Sequence, residues 1–287
     1  MTVLLLGSNG QLGSALQATR PEDVKLIARD LPDFDLTNLD AAQKLVEENS
    51  AKLIINAAAY TAVDKAEKEE ELARQANVAG VAAIASAAER YGARFIHIST
   101  DYVFDGTKGH PYQPDDPTSP LSAYGRTKLE GEKAALANCR NCLIVRTAWL
   151  YGDRGGNFVK TMLRLMSSHP QVRVVCDQIG TPTYADSLAR AIWILARTDR
   201  RGILHYTDSG VASWYDFACA IQEEALELGL LKEIVPVLPI STPEYPTPAP
   251  RPSFSILDKA ETWALLGGPA DHWRKNLRVM LERMKNA

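Results

Sequence analysis

The sequence predicts an α/β protein, a Rossmann-like doubly wound parallel sheet with a smaller C-terminal α/β lobe. Three observations carry this. Short apolar runs alternate with helical periodicity through the first half, the first run ends in regularly spaced glycines, and the texture changes after about residue 150. Strands that alternate with helices imply parallel pairing, because a parallel pair needs a crossover connection.

Val3–Leu6 reads as the first strand, followed by a glycine turn and a helix from about Gln11. Val24–Ala28 and Leu53–Ala58 read as short buried strands, with helical spacing over Asp40–Glu48 between them. Residues 65–91 form one long helical pattern, acidic at its start, where the helix dipole favours negative charge. Arg94–Ser99 and Leu143–Thr147 are further strands. Beyond residue 150, helical segments at 157–168, 185–197, 214–229 and 271–285 are separated by Pro- and Gly-rich loops. The segment Pro243–Pro252 holds five prolines and reads as a loop lining a site. The expected organisation is a cofactor domain over 1–150 and a substrate lobe over 151–287, with room for segments of the second to return to the first sheet.

Composition excludes several classes. The 35 acidic and 32 basic residues leave a net charge of −3. Split at residue 150, the balance is 16 − 20 = −4 before and 16 − 15 = +1 after. Neither half has the basic excess of a duplex-binding domain, so no nucleic-acid partner is expected. Apolar stretches such as Leu53–Ala59 are far shorter than the ~20 residues that span a bilayer, so no membrane partner is expected either. The start lacks a basic segment and a long apolar run, and four cysteines are too few for a disulfide framework. These features point to the cytoplasm.

The first strand runs into Gly7-Ser8-Asn9-Gly10-Gln11-Leu12-Gly13. Glycines here allow a tight turn, close approach of backbone to a pyrophosphate and close helix packing, while the following helix N-terminus faces the anion. The same spacing also fits a plain tight turn. Its place between strand and helix favours dinucleotide binding. Asp30 closes the second strand and would accept hydrogen bonds from an adenosine ribose, favouring NADH. Arg29 beside it would pair with a 2′-phosphate, favouring NADPH. Either residue also fits a solvated loop. Tyr124 and Lys128 are four residues apart and share one face of a helix. A phenol is a poor acid–base group near neutrality, and a neighbouring cation lowers its pKa.

With these features the chain resembles the extended short-chain dehydrogenase/reductases, and within them the dTDP-4-dehydrorhamnose reductases. The stretches that carry the resemblance include Asn56–Glu67, Ser99–Gly106, Ser119–Glu132, Arg146–Tyr151, Asn157–Met162, Asp177–Thr183 and Tyr245–Pro252. The resemblance implies transfer of hydride from NADPH or NADH to C4 of dTDP-4-dehydro-L-rhamnose, giving dTDP-L-rhamnose. It implies Tyr124 as general acid, Lys128 as the cation that tunes Tyr124 and holds the nicotinamide ribose, and Thr100 as the hydroxyl on the substrate oxygen. It further implies Asp101 and Trp149 in the sugar site, and Asn77 as support for a water chain. Cofactor contacts match Gly7, Gly10, Gln11, Leu12, Gly13, Asp30, Asp35, Leu36, Ala57, Ala58 and Ala59, with Arg29 as the alternative discriminator. Read without the resemblance, Trp149 fits a core position, and Thr100 and Asp101 fit a cap after a strand. Arg251 fits either a diphosphate contact or the anchor of the Pro-rich loop.

Cys139 and Cys142 form a C-x-x-C with no partner pair, and the five histidines form no spaced cluster, so two turn cysteines and no metal are expected. Some relatives bind magnesium between subunits through acids. Here Ala15 stands at one such position, leaving Asp186 alone, and a monomer or homodimer is expected. Two alternatives remain at this point. One is another nucleotide-sugar enzyme of the family, an epimerase or 4,6-dehydratase, although Tyr102 follows Asp101 where a dehydratase needs Glu. The other is a non-catalytic relative like the regulatory subunit of methionine adenosyltransferase, against which Thr100, Tyr124 and Lys128 all stand.

Overall fold

A computed structural model describes residues 1–286. Its centre is a six-stranded parallel sheet. Five strands are β1 (Thr2–Leu6), β2 (Lys25–Arg29), β3 (Leu53–Asn56), β4 (Arg94–Thr100) and β5 (Cys142–Thr147). The spatial order is β2-β1-β3-β4-β5, followed by the strand Gly202–His205 on β5. Val3–Leu6 are all buried, as expected of a strand covered by helices on both faces.

One face is covered by α1 (Gln11–Ala18) and the helix Ala185–Leu195, through Leu12, Leu16, Leu188 and Ile192. The other is covered by α2 (Leu39–Asn49) and the helices Val81–Arg90 and Ala123–Asn138, through Val46, Ile84, Ala88 and Ala135. Residues 185–205 thus lie beyond the boundary at 150 and yet complete the first sheet. The helices Phe158–Ser168, Trp214–Glu227 and Trp273–Asn286 build a separate core around Val159, Phe217, Leu277 and Met280.

The chain passes from β1 to β2 on one side, then crosses back so that β3 lies on the other side of β1. Strand order reverses there, at the carboxyl ends of β1 and β3, which is where open α/β sheets bind ligands.

Two expectations need correction. The third strand ends at Asn56 rather than Ala58, because the Asn56 side chain accepts a hydrogen bond from Ala58 N (3.1 Å) and turns the chain out of the sheet. The single helix expected over 65–91 is broken into Val63–Ala66, Glu70–Arg74, a π-helical turn Gln75–Gly80 and Val81–Arg90. Side chains divert the pattern locally: Glu67 accepts from Ala123 N (2.7 Å), and Gly80 packs where any Cβ would strike Leu36.

Candidate active site

A cleft of about 880 Å³ opens at the reversal of strand order. Gly7, Gly10, Gln11, Leu12, Asp30, Asp35, Leu36 and Ala57–Ala59 line one end, and Thr100, Asp101, Tyr124, Lys128 and Trp149 line the other.

At the glycine end, Gly7 has φ +78°, and a Cβ there would lie 2.5 Å from Ala58 N. Only glycine lets the β1 and β3 ends close up in this way. Gly10 precedes α1, and no side chain caps that helix's first turn. The first-turn N–H groups and dipole are thus available to an anion. The Asp30 carboxylate accepts from Asn9 N (2.7 Å) and Leu31 N (2.8 Å), which fixes it beside the loop.

Three expected residues are elsewhere. Gly13 does not line the cleft. It is a packing glycine, because a side chain would run into the Gly7 carbonyl. Arg29 turns back to donate to Ala28 O (2.9 Å) and is absent from the lining. Arg251 is paired with Asp64 through both carboxylate oxygens (3.0 and 2.9 Å) and also donates to Ala249 O. It anchors the Pro-rich segment, and that segment strides past the cleft without lining it.

At the other end, β4 delivers Thr100, the 3₁₀ turn that follows it delivers Asp101, and the helix Ala123–Asn138 delivers Tyr124 and Lys128 one turn apart. Ser122 caps that helix through Gly125 N (3.2 Å). Thr100 does both things the sequence allowed: its hydroxyl caps Tyr102 N (3.2 Å), and it faces the cleft. It also donates to Asp101 Oδ1 (3.0 Å). Burial pushes the Asp101 carboxyl up to about 6. Burial also pushes the Tyr124 phenol up to about 12, against the opposing pull of the Thr100 hydroxyl. Lys128 is 2 % exposed, and burial brings its ammonium down to about 8 while Glu132 pulls the other way. Its amine donates to Ile98 O (2.7 Å) and touches His97 Nε2 (3.4 Å).

These features match a family. The model of the RmlD substrate binding domain matches residues 1–286. The chain belongs to the RmlD family. A dTDP-4-dehydrorhamnose reductase from Aggregatibacter actinomycetemcomitans is 40% identical, the match covering 98% of this chain and 99% of the relative. Two solved structures are similar. One is a dTDP-4-dehydrorhamnose reductase from Clostridium acetobutylicum, with TM-score 0.93 and 41% identity over 99% of this chain and all of that one. The other, from Bacillus anthracis and in complex with NADP, has TM-score 0.93 and 38% identity over 98% and 99% of the two chains.

In this RmlD-family chain several residues matter that the sequence reading passed over. The Ser99 and Thr147 hydroxyls are buried, line the cleft and have no partner among the described residues. Trp149 holds φ +48°, costly for a bulky residue, and stacks on Trp214 with ring centres 3.5 Å apart and 6° between planes. Gly180 makes room, since a Cβ there would lie 2.6 Å from the indole. The stretch Asp177–Thr183 was the only signal for Gly180, and nothing in the sequence pairs Trp149 with Trp214. Asn77 does not reach the cleft. Its amide ties Tyr60 N and O (2.9 and 3.2 Å) to Thr127 (3.1 Å). Asp186 accepts from Arg283 (2.6 Å), so its carboxylate is already paired, and no metal-holding cluster of acids, histidines and cysteines occurs among the described residues. Cys139 and Cys142 sit in the core with thiols that burial pushes up, Cys142 to about 12. No described helix is long and apolar enough to cross a membrane.

Proposed function

We propose that the protein is an NAD(P)H-dependent reductase that converts dTDP-4-dehydro-L-rhamnose to dTDP-L-rhamnose. The observation that carries this reading is the meeting of the glycine loop with Thr100, Tyr124 and Lys128 in one cleft at the switch point of an RmlD-family fold. The residues fit a dinucleotide: an uncapped helix start, a carboxylate fixed beside it at Asp30, and unpartnered hydroxyls at Ser99 and Thr147. When bound, the reduced nicotinamide supplies the hydride.

The protein's residues handle charge and position. Reduction of a ketone places negative charge on its oxygen, and Thr100 donates a hydrogen bond there once its hydroxyl turns from Asp101. Tyr124 donates the proton as general acid. A phenol pushed up to about 12 stays protonated at neutral pH. It is still acidic enough to protonate an alkoxide, whose conjugate acid lies near that of water, about 15.7. Lys128, one helical turn on, supports the phenol and holds the nicotinamide ribose. Asp101 and Trp149 shape the sugar site. Asp30 receives the adenosine ribose, and the reductant is NADPH or NADH. The same reading has the enzyme act in the cytoplasm, as a monomer or homodimer, without a metal.

The test is oxidation of NADPH or NADH with dTDP-4-dehydro-L-rhamnose, with the product identified by NMR. Turnover to dTDP-L-rhamnose that persists in EDTA is expected. Binding without turnover of either nicotinamide would overturn the reading in favour of a regulatory role, and activity restored only by magnesium would overturn its metal independence.

A further inference from the structure

Lys128 is in contact with a histidine that no role so far accounts for. His97 lies on β4, is fully buried, stacks beside Phe95 and makes polar contact with two side chains. Its Nδ1 meets Asn56 Nδ2 at 3.1 Å, and its Nε2 meets Lys128 Nζ at 3.4 Å.

The neighbours decide which ring nitrogen carries the proton. The Asn56 amide has one orientation available, because its Oδ1 accepts from the backbone N–H of Ala58 (3.1 Å). Reversing the amide would set two donors against each other there. Asn56 therefore presents its NH₂ to His97, and Nδ1 must accept. A neutral imidazole has one donor and one acceptor, so the proton lies on Nε2 and points at the lysine. An ammonium has no lone pair to receive it, whereas a neutral amine has one.

We propose that His97 is a positioning residue for Lys128, locked by Asn56 as the Nε2–H tautomer so that its N–H favours the neutral amine. The consequence rests on the catalytic reading of Lys128 given above, though the contact itself does not. The titratable and charged groups that act on Nζ are His97 from β4 and Glu132 from the lysine's own helix, whose carboxylate is taken up by Arg146 of β5. Burial and the nearby lysine both hold His97 neutral, and burial lowers Lys128 in the same direction as the His97 donor. Lys128, still charged below about pH 8, is thereby brought closer to the point where it releases a proton than a free lysine.

The test reads tautomer and lysine titration directly on the whole protein, without turnover. Long-range ¹H–¹⁵N NMR of the histidine rings, with His97 assigned by its loss in His97→Gln, should show a neutral Nε2–H ring that does not titrate between about pH 6 and 9, consistent with burial of the imidazole. An Nδ1–H or titrating ring would overturn the proposal. In His97→Gln the amide oxygen can face the ammonium. The Lys128 titration, followed in ¹³C-labelled lysine, should then move up by about 1 unit, the size of a hydrogen bond turned from opposing to favouring the charge. An unchanged or lowered midpoint would overturn it. Asn56→Asp should switch the ring to Nδ1–H and raise the lysine likewise; a ring that keeps Nε2–H beside a carboxylate would show that Asn56 does not set the tautomer. If the substrate assay fails while these readings hold, it is the proposed function that is wrong and not the His97 contact.

Discussion

Two successive turns of one helix bury two charges in opposite ways. Within Ala123–Asn138, Lys128 is buried, and its polar partners among the described residues are a backbone carbonyl and a neutral histidine. One turn on, Glu132 meets Arg146 of β5 through two hydrogen bonds (2.8 and 2.7 Å), and Arg146 also reaches Pro114 O and stacks over Phe104. Lys128 and Arg146 are equally buried, each 2 % exposed. The difference lies in their partners. A buried charge that is fully paired holds the sheet to the helix, whereas one left without a carboxylate is held at a cost and stays free to act.

The comparison predicts that substitutions at the two charges fail in different ways. The largest expected effect is at Tyr124. Tyr124→Phe should lower kcat by about 10²–10⁴-fold, the range for losing a general acid, with cofactor binding and melting temperature nearly unchanged. Near-normal turnover would remove Tyr124 from its assigned role. At the paired charge, Glu132→Ala should destabilise by about 3–5 kcal/mol in urea unfolding, because it strands the Arg146 guanidinium. The double change Glu132→Leu with Arg146→Met should recover much of that loss. A single variant no less stable than the double would break the comparison.

At the unpaired charge the sign reverses. Lys128→Met should lose most activity and yet gain stability. The folded ammonium lies at about 8 against 10.5 for a free lysine. A depressed lysine costs stability below pH 8, where it must be charged while buried, and that cost fades between pH 8 and 10.5 as the folded amine titrates first. The gain should thus be about 3 kcal/mol near pH 7 and close to nothing above pH 10.5. Equal gains at both would show that packing and not charge is responsible. The smallest effect is expected at the far end of the cleft, where Asp30→Ala should shift the NADH/NADPH preference of kcat/KM by several fold toward NADPH. An unchanged ratio would move the discrimination to another residue.

Much of this was legible in the chain. The strands and the glycine loop follow from continuous apolar runs and from spacing, both local signals. The Tyr124–Lys128 pair follows from helical periodicity. Other features depend on contacts between distant segments, which periodicity does not encode. Arg251 could serve a phosphate or a loop, and only the position of Asp64, 187 residues away in sequence, decides that it is paired. Gly13 looks like its neighbours in the loop, and its packing role appears only when α1 folds back on Gly7. The break in the helix at 63–90 comes from Glu67 capping a helix that begins more than fifty residues later. His97 reads as one apolar-flanked histidine among five, and its role emerges from the register that sets Asn56 opposite it on β3.

The most direct measurement is transfer of label. Turnover of dTDP-4-dehydro-L-rhamnose with nicotinamide cofactor deuterated at C4 on the transferred face should place one deuterium at C4 of the dTDP-L-rhamnose formed, visible by NMR as loss of the H4 signal. Product formed with no deuterium at C4, or no product with label on either face, would contradict the account.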